Sequence, residues 1–146
     1  MAIRGIAGMG AGLIVLLAGA CLPNADRARM MAQETAVVQR LRSIQTAEVQ
    51  YSSMYGSYAK TLAQLGPPAS GAPSAQAAGL IPADLAAGMK DGYKFTLDGD
   101  GQKFSVQARP VEYGRTGTRS FYSDASLVIH QNREDAPATA DSPALN

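Results

Sequence analysis

The apolar and polar positions of the chain fall into three patterns. From Ile6 to Leu22 no residue carries a charge, and a helix of that length at 1.5 Å per residue spans roughly 25 Å, the short end of what a bilayer requires. From Asn24 to Tyr55 there is neither glycine nor proline, and apolar residues recur at helical spacing: Met30, Val37, Leu41, Ile44 and Tyr51, with Val38 and Val49 beside them. The opposite face is predicted to carry Gln33, Gln39, Arg40, Arg42, Gln45, Glu48 and Gln50. One helix over 24–55, kinked near Pro23, accounts for both runs. Beyond residue 92 the period changes to two. Tyr93, Phe95 and Leu97 alternate with polar residues, as do Phe104, Val106 and Ala108, and Asp98-Gly99-Asp100-Gly101 between them tolerates the left-handed backbone of a tight turn.

Two further strands, near 119–122 and 127–130 and joined at Asp124-Ala125-Ser126, complete a small antiparallel sheet of three to four strands over 92–131. Residues 56–91 form a loop region with short helical turns around 58–65 and 81–85, and Pro67 to Pro73 reads as loop by composition. The apolar stripe of the helix needs the sheet to cover it, so the predicted fold is α+β, with residues 23–131 as one domain. Residues 132–146 are polar and proline-spaced and are expected to be disordered.

The 146 residues allow one compact domain, with about 100 residues left to build its core. Thirteen basic residues are scattered against twelve acidic ones, which excludes the concentrated positive surface that a nucleic-acid partner requires. The single cysteine, Cys21, lies at the end of the apolar run and permits no intrachain disulfide. Arg4 precedes that run, which favours a cytoplasmic N-terminus, while Arg27 and Arg29 follow it. Three fates fit residues 1–22: a retained anchor with Ile6, Leu13, Leu16 and Leu22 in the bilayer, a secretory signal cleaved near Ala18-Gly19-Ala20, or lipidation at Cys21. Gly5, Gly8, Gly12 and Gly19 would permit close approach of neighbouring helices.

The run Pro23-Asn24, Arg27-Ala28-Arg29-Met30, Ala32 and Glu34 continues through Val38, Leu41-Arg42, Ile44, Thr46-Ala47, Val49 and Tyr51. With Tyr55-Gly56-Ser57-Tyr58 and Gly117-Thr118-Arg119-Ser120-Phe121-Tyr122 downstream, it resembles the type IV pilin and type II secretion pseudopilin family. The resemblance implies a long N-terminal helix packed on a small sheet, an inner-membrane anchor with the domain in the periplasm or on the cell surface, and other copies or pilin-like subunits as partners. It implies structural work without catalysis, cofactor, metal or small-molecule substrate. Pro23 would kink the helix, and Arg27, Arg29 and Glu34 would make contacts at the membrane exit. Counting back from Pro23, the position that the family fills with glutamate is Ile6, and the aromatic position is Ala2, so no prepilin leader or registering carboxylate is expected. A monomeric membrane- or lipid-anchored periplasmic protein, using the same domain as a binding module, is the alternative.

Asp98 and Asp100 bracket a glycine as calcium loops do, but the twelfth position from Asp98 is Arg109 where an EF-hand needs a carboxylate, which leaves a hairpin turn. By the resemblance alone Asp124 is a candidate calcium ligand, and no metal site is expected there. Ser120, Asp124 and His130 are the residue types of a hydrolytic triad, without a nucleophile-elbow pattern around the serine. Tyr51, Tyr55 and Tyr58 are expected at the core and its rim.

Overall fold

A computed structural model describes residues 22–146, with side chains from residue 24 onward. Ile6, Leu13, Leu16 and Cys21 lie outside the described residues, as do the glycines before them, the side chains of Leu22 and Pro23, and the kink expected there. The fold is α+β, a long N-terminal helix packed on a five-stranded antiparallel sheet.

Helix α1 spans Leu22–Tyr55. It runs unbroken because no glycine or proline lies between Asn24 and Tyr55, and it stops at Gly56, which takes φ +76° while its amide donates to the Ser52 carbonyl at 2.8 Å. Two four-residue helices follow, α2 (Leu62–Leu65) and α3 (Ala83–Ala86). The strands β1 (Met89–Lys90), β2 (Tyr93–Gly99), β3 (Phe104–Pro110), β4 (Ser120–Asp124) and β5 (Ile129–Asn132) form a meander in sequence order. Tyr93, Phe95, Leu97, Phe104, Val106, Ala108, Phe121 and Ile129 make the buried face, and Val37, Val38, Leu41, Ile44, Ala47 and Tyr51 of α1 lie in the same core. Leu62, Leu65, Ile81 and Leu85 close it from the intervening loops. At about 1.5–3 kcal/mol per fully buried large apolar side chain, this single core supplies most of the driving force for folding.

Several expectations need correction. The sheet has one strand more than predicted: β1 pairs with the start of β2 across Asp91-Gly92, both at positive φ (+53° and +75°), the conformation that an Asp-Gly hairpin turn favours. β4 is shifted slightly toward the C-terminus of its predicted range, and β5 begins at Ile129, later than predicted, because Leu127, at φ +63°, still belongs to the turn before it. Gln45 and Glu48, predicted on the solvent face of α1, are buried, whereas Val49 of the apolar set is 43% exposed.

The C-terminal stretch is not the disordered tail its composition predicted. It crosses the outer face of the sheet: Ser120 Oγ donates to the Ala136 carbonyl at 2.6 Å, Gln107 Nε2 to Ala138 at 3.5 Å, and Tyr113 Oη to Arg133 at 2.7 Å. Ala138 is buried and Leu145 packs against the core. Unpaired backbone groups on β5 supply what few apolar side chains could not: the Gln131 amide donates to Pro143, and Leu145 donates to Ile129.

Candidate functional site

The place where α1 leaves the sheet is built from a buried carboxylate. Glu34 sits seven residues before Leu41 on the stripe that faces the core, so helical geometry turns it inward. Its Oε1 accepts from the Thr118 amide at 2.7 Å and from Thr118 Oγ1 at 3.0 Å, and its Oε2 accepts from Arg119 Nε at 2.7 Å. Arg119 is fixed in turn by Gln131 Oε1, 3.0 Å from its Nη1, and by the Phe121 ring, whose centroid lies 5.4 Å from the guanidinium carbon. The helix is thus clasped to β4 and β5 by a charge-assisted network that satisfies both carboxylate oxygens. Beside it, Tyr93 is fully buried and donates to the Arg119 carbonyl at 2.8 Å, and burial pushes its phenol well above the ordinary range. The chain passes over that ring at Gly117, where a Cβ would stand 1.9 Å from the Tyr93 oxygen.

Upstream of the clasp the surroundings change abruptly. Asn24 to Arg29 are exposed on every side, as are Met31 and Ala32, and Met31 is 60% exposed. Apart from a half-covered Met30, the helix from Asn24 to Ala32, roughly 13 Å long, therefore stands clear of the domain. Arg27 and Arg29 belong to this free section, with Arg29 3.6 Å from Asp26 in an exposed pair one turn apart. Of the residues expected at a membrane exit, Arg27 and Arg29 are presented to the outside, whereas Glu34 is engaged within the domain. Among the described residues no helix is long and apolar enough to cross a membrane.

The other carboxylate of the stripe is Glu48, seven residues after Leu41 and fully buried. Its Oε2 accepts from the Ala59 amide at 2.8 Å, which ties the end of α1 to the loop after it, while its Oε1 has no hydrogen-bond partner. Burial raises its pKa from 4.5 to about 7, against the lowering effect of the Ala59 hydrogen bond. Both carboxylates were legible from one signal: positions 34, 41 and 48 repeat every seven residues along the buried stripe, so an acid at either end must face the core.

An open cleft of about 580 Å³ lies at the opposite end of the sheet, between the β2–β3 and β4–β5 turns. Asp98, Asp100, Tyr122, Asp124 and Ser126 line it. Asp100 is a turn residue: hydrogen bonds from the Lys103 and Gln102 amides hold its carboxyl below the usual range. Partial burial opposes ionisation of Asp124, but hydrogen bonds from Ser126 and Tyr122 outweigh it and lower its pKa. Among the described residues no three His, Cys, Asp or Glu side chains are grouped closely enough to share a metal ion.

The three hydrolase-type residues share the outer face of β4 and β5, but Ser120 and Asp124 stand at opposite ends of β4, His130 lies across from Tyr122 between them, and each is engaged separately. Ser120 Oγ donates to Ala136, Asp124 accepts from Ser126 and Tyr122, and His130 Nδ1 lies 2.6 Å from the Ser142 carbonyl. The tyrosines pack as rim and core: Tyr51 is buried with its hydroxyl on the Ala75 carbonyl, the Tyr55 ring lies 4.7 Å from that of Tyr51, and Tyr58 meets Phe104 edge-on at 4.9 Å.

No protein-family model, curated protein or solved structure matches this chain.

Proposed function

We propose that this chain is a pilin-like or pseudopilin-like structural subunit of a type IV pilus or type II secretion type filament, held in the inner membrane by residues 1–22 with its domain in the periplasm or on the cell surface. The observation that carries the reading is the free section of α1, exposed on every side between Asn24 and Ala32 except for a half-covered Met30, and directly continuous with the uncharged run Ile6 to Leu22. A domain that needed α1 only for its own core would use the helix from Glu34 onward. Apart from Met30, the turns from Asn24 to Ala32 are exposed in the monomer and are suited to packing against other helices.

In this reading the work is mechanical. Helices of neighbouring subunits bundle through close packing, with their small residues permitting approach, and the sheets coat the outside. Glu34 then sets the angle at which the helix leaves the domain, and Arg27 and Arg29 meet the polar side of the membrane exit or the next subunit.

The test is the intact mass of the native protein from the membrane fraction of its own cells, followed by crosslinking. A mass that includes residues 2–22, with a ladder of crosslinked oligomers from an Ala28→Cys chain carrying Cys21→Ser, is expected. A soluble form lacking the apolar run, or a mass beginning at an acylated Cys21, would sink the filament reading and favour the monomeric binding module.

A further inference from the structure

Among the described residues, α1 carries two uncovered surfaces of opposite character at its two ends. Near the C-terminal end, Val49 and Leu127 line an open groove of about 430 Å³ between the helix and the β4–β5 turn, with exposed Val128 beside them. Leu127 holds φ +63°, a backbone that costs glycine nothing and a branched side chain a good deal, yet its side chain is 47% exposed, so core packing does not offset that cost. Buried Gln45 of α1 donates to the Leu127 carbonyl at 3.1 Å and also to Ser123 Oγ, which fixes the turn on the helix. The same turn walls the acidic cleft, where Asp98, Asp100 and Asp124 face one cation, Lys103. Asp98 is exposed and in no ion pair among the described residues.

The free section of α1 has the converse charge. Arg27 and Met31 are one turn apart, share a face and are both exposed. By seven-residue spacing Arg27 continues the line of Glu34 and Leu41, and Met31 that of Val38, so the face that the sheet covers farther along runs on uncovered here. Asp26 and Arg29 form their own exposed pair, which leaves the net positive charge of the section on Arg27. Met31 and Val49 lie roughly 27 Å apart along one unbroken helix, so no copy can bring its own two surfaces together. We propose that the Arg27 and Met31 face of one copy docks on the β4–β5 turn of a second copy, with Met31 against Val49 and Leu127 and Arg27 toward Asp98 and Asp124. This docking rests on the filament-subunit reading and names the contact within it. A contact between unlike surfaces does not close on itself, so every docked copy leaves one helix face and one turn free for the next. Copies at equal depth in a membrane cannot make it; one must stand roughly 27 Å farther out than its neighbour.

The experiment uses the full chain in its own cells, with Cys21→Ser so that the introduced cysteines are the only ones. Met31→Cys combined with Leu127→Cys, or with Val49→Cys as a second acceptor, should give a disulfide ladder on mild oxidation with copper phenanthroline, because each copy links to two neighbours. Met31→Cys combined with Met89→Cys, comparably exposed but on β1, is the control and should link at least about tenfold less. Each chain with a single one of these cysteines should stay largely monomeric. Arg27→Glu added to the Met31 and Leu127 pair should lower the ladder at least about tenfold, and Asp98→Lys added to that chain should restore it. Crosslinked oligomers from Ala28→Cys, with both Met31 pairs no better than the control, would overturn the docking and leave the filament reading standing. Absence of the Ala28→Cys oligomers as well would overturn both. An Arg27→Glu chain that links undiminished, or a loss that Asp98→Lys does not restore, would also overturn the docking, since Arg27 would then not face the acids of the turn.

Discussion

Two glutamates on one helical stripe have opposite relations to the fold. Glu34 has both oxygens satisfied and a guanidinium at 2.7 Å, so its removal strands a largely buried Arg119. Glu34→Ala should cost about 2–4 kcal/mol, read from the urea unfolding midpoint. Glu48 has one oxygen unpartnered and no cation beside it, so ionisation there opposes folding. Because its folded-state pKa is raised from 4.5 to about 7, the folded protein binds the extra proton between those values. Stability contributed at this site is therefore whole below pH 4.5, falls as pH rises toward 7, and is level above it. Glu48→Gln should flatten that slope and leave the chain about 1–2 kcal/mol more stable at pH 8, less than full relief because the buried amide also lacks a second partner. An unchanged difference between variant and parent from pH 4.5 to 8 would show that Glu48 does not titrate in this window. The sequence announced the stripe through Val37, Leu41 and Ile44, but reading charge as solvent-facing hid the acids within it. Seven-residue spacing was the better guide.

At the scale of elements, regular periodicity was legible and special backbone was less so. The helix over 24–55 and the hairpin of β2 and β3 follow from periods of 3.6 and two, and both stand where they were expected, with α1 described from Leu22. β1 is too short for any period, and its signal lay in the turn, where Asp91-Gly92 takes a conformation that the pair is known to favour. Crowding at glycines cannot be read from one chain, because it depends on what packs across. Gly117 is the sharpest case. A methyl group there would meet the Tyr93 ring and hydroxyl at 1.9–2.8 Å, so either the buried ring or the Thr118 amide that caps Glu34 must move. Gly117→Ala should lower stability by about 1–3 kcal/mol. In a double-mutant cycle with Glu34→Ala the two losses should fall short of additive, because both loosen the same clasp. Strict additivity would separate the clasp from the ring beneath it.

The whole molecule divides at Glu34 into a section of helix that stabilises the domain and a section that does not. The tail shows how far composition can mislead at this scale: fifteen polar and small residues offered little to bury, yet backbone pairing to β5 and one buried alanine hold them on the sheet. The helix shows the converse, since one uninterrupted pattern hides two energetic roles. Ala47 is buried in the core, while Ala28 is exposed. Proline in a helix interior removes a hydrogen bond and clashes with the preceding turn, at about 3 kcal/mol or more where the helix is held by packing. Ala47→Pro should therefore unfold the domain or cost at least that much. Ala28→Pro breaks the same ladder where no tertiary contact depends on it, so the thermal midpoint of the domain should shift by less than the equivalent of about 0.5 kcal/mol. A filament subunit needs that free section straight to pack against its neighbours, so Ala28→Pro should abolish crosslinked oligomers while leaving the domain folded. A stable domain with undiminished oligomers would mean that the exposed helix is only a tether, and would place subunit contact elsewhere on the molecule.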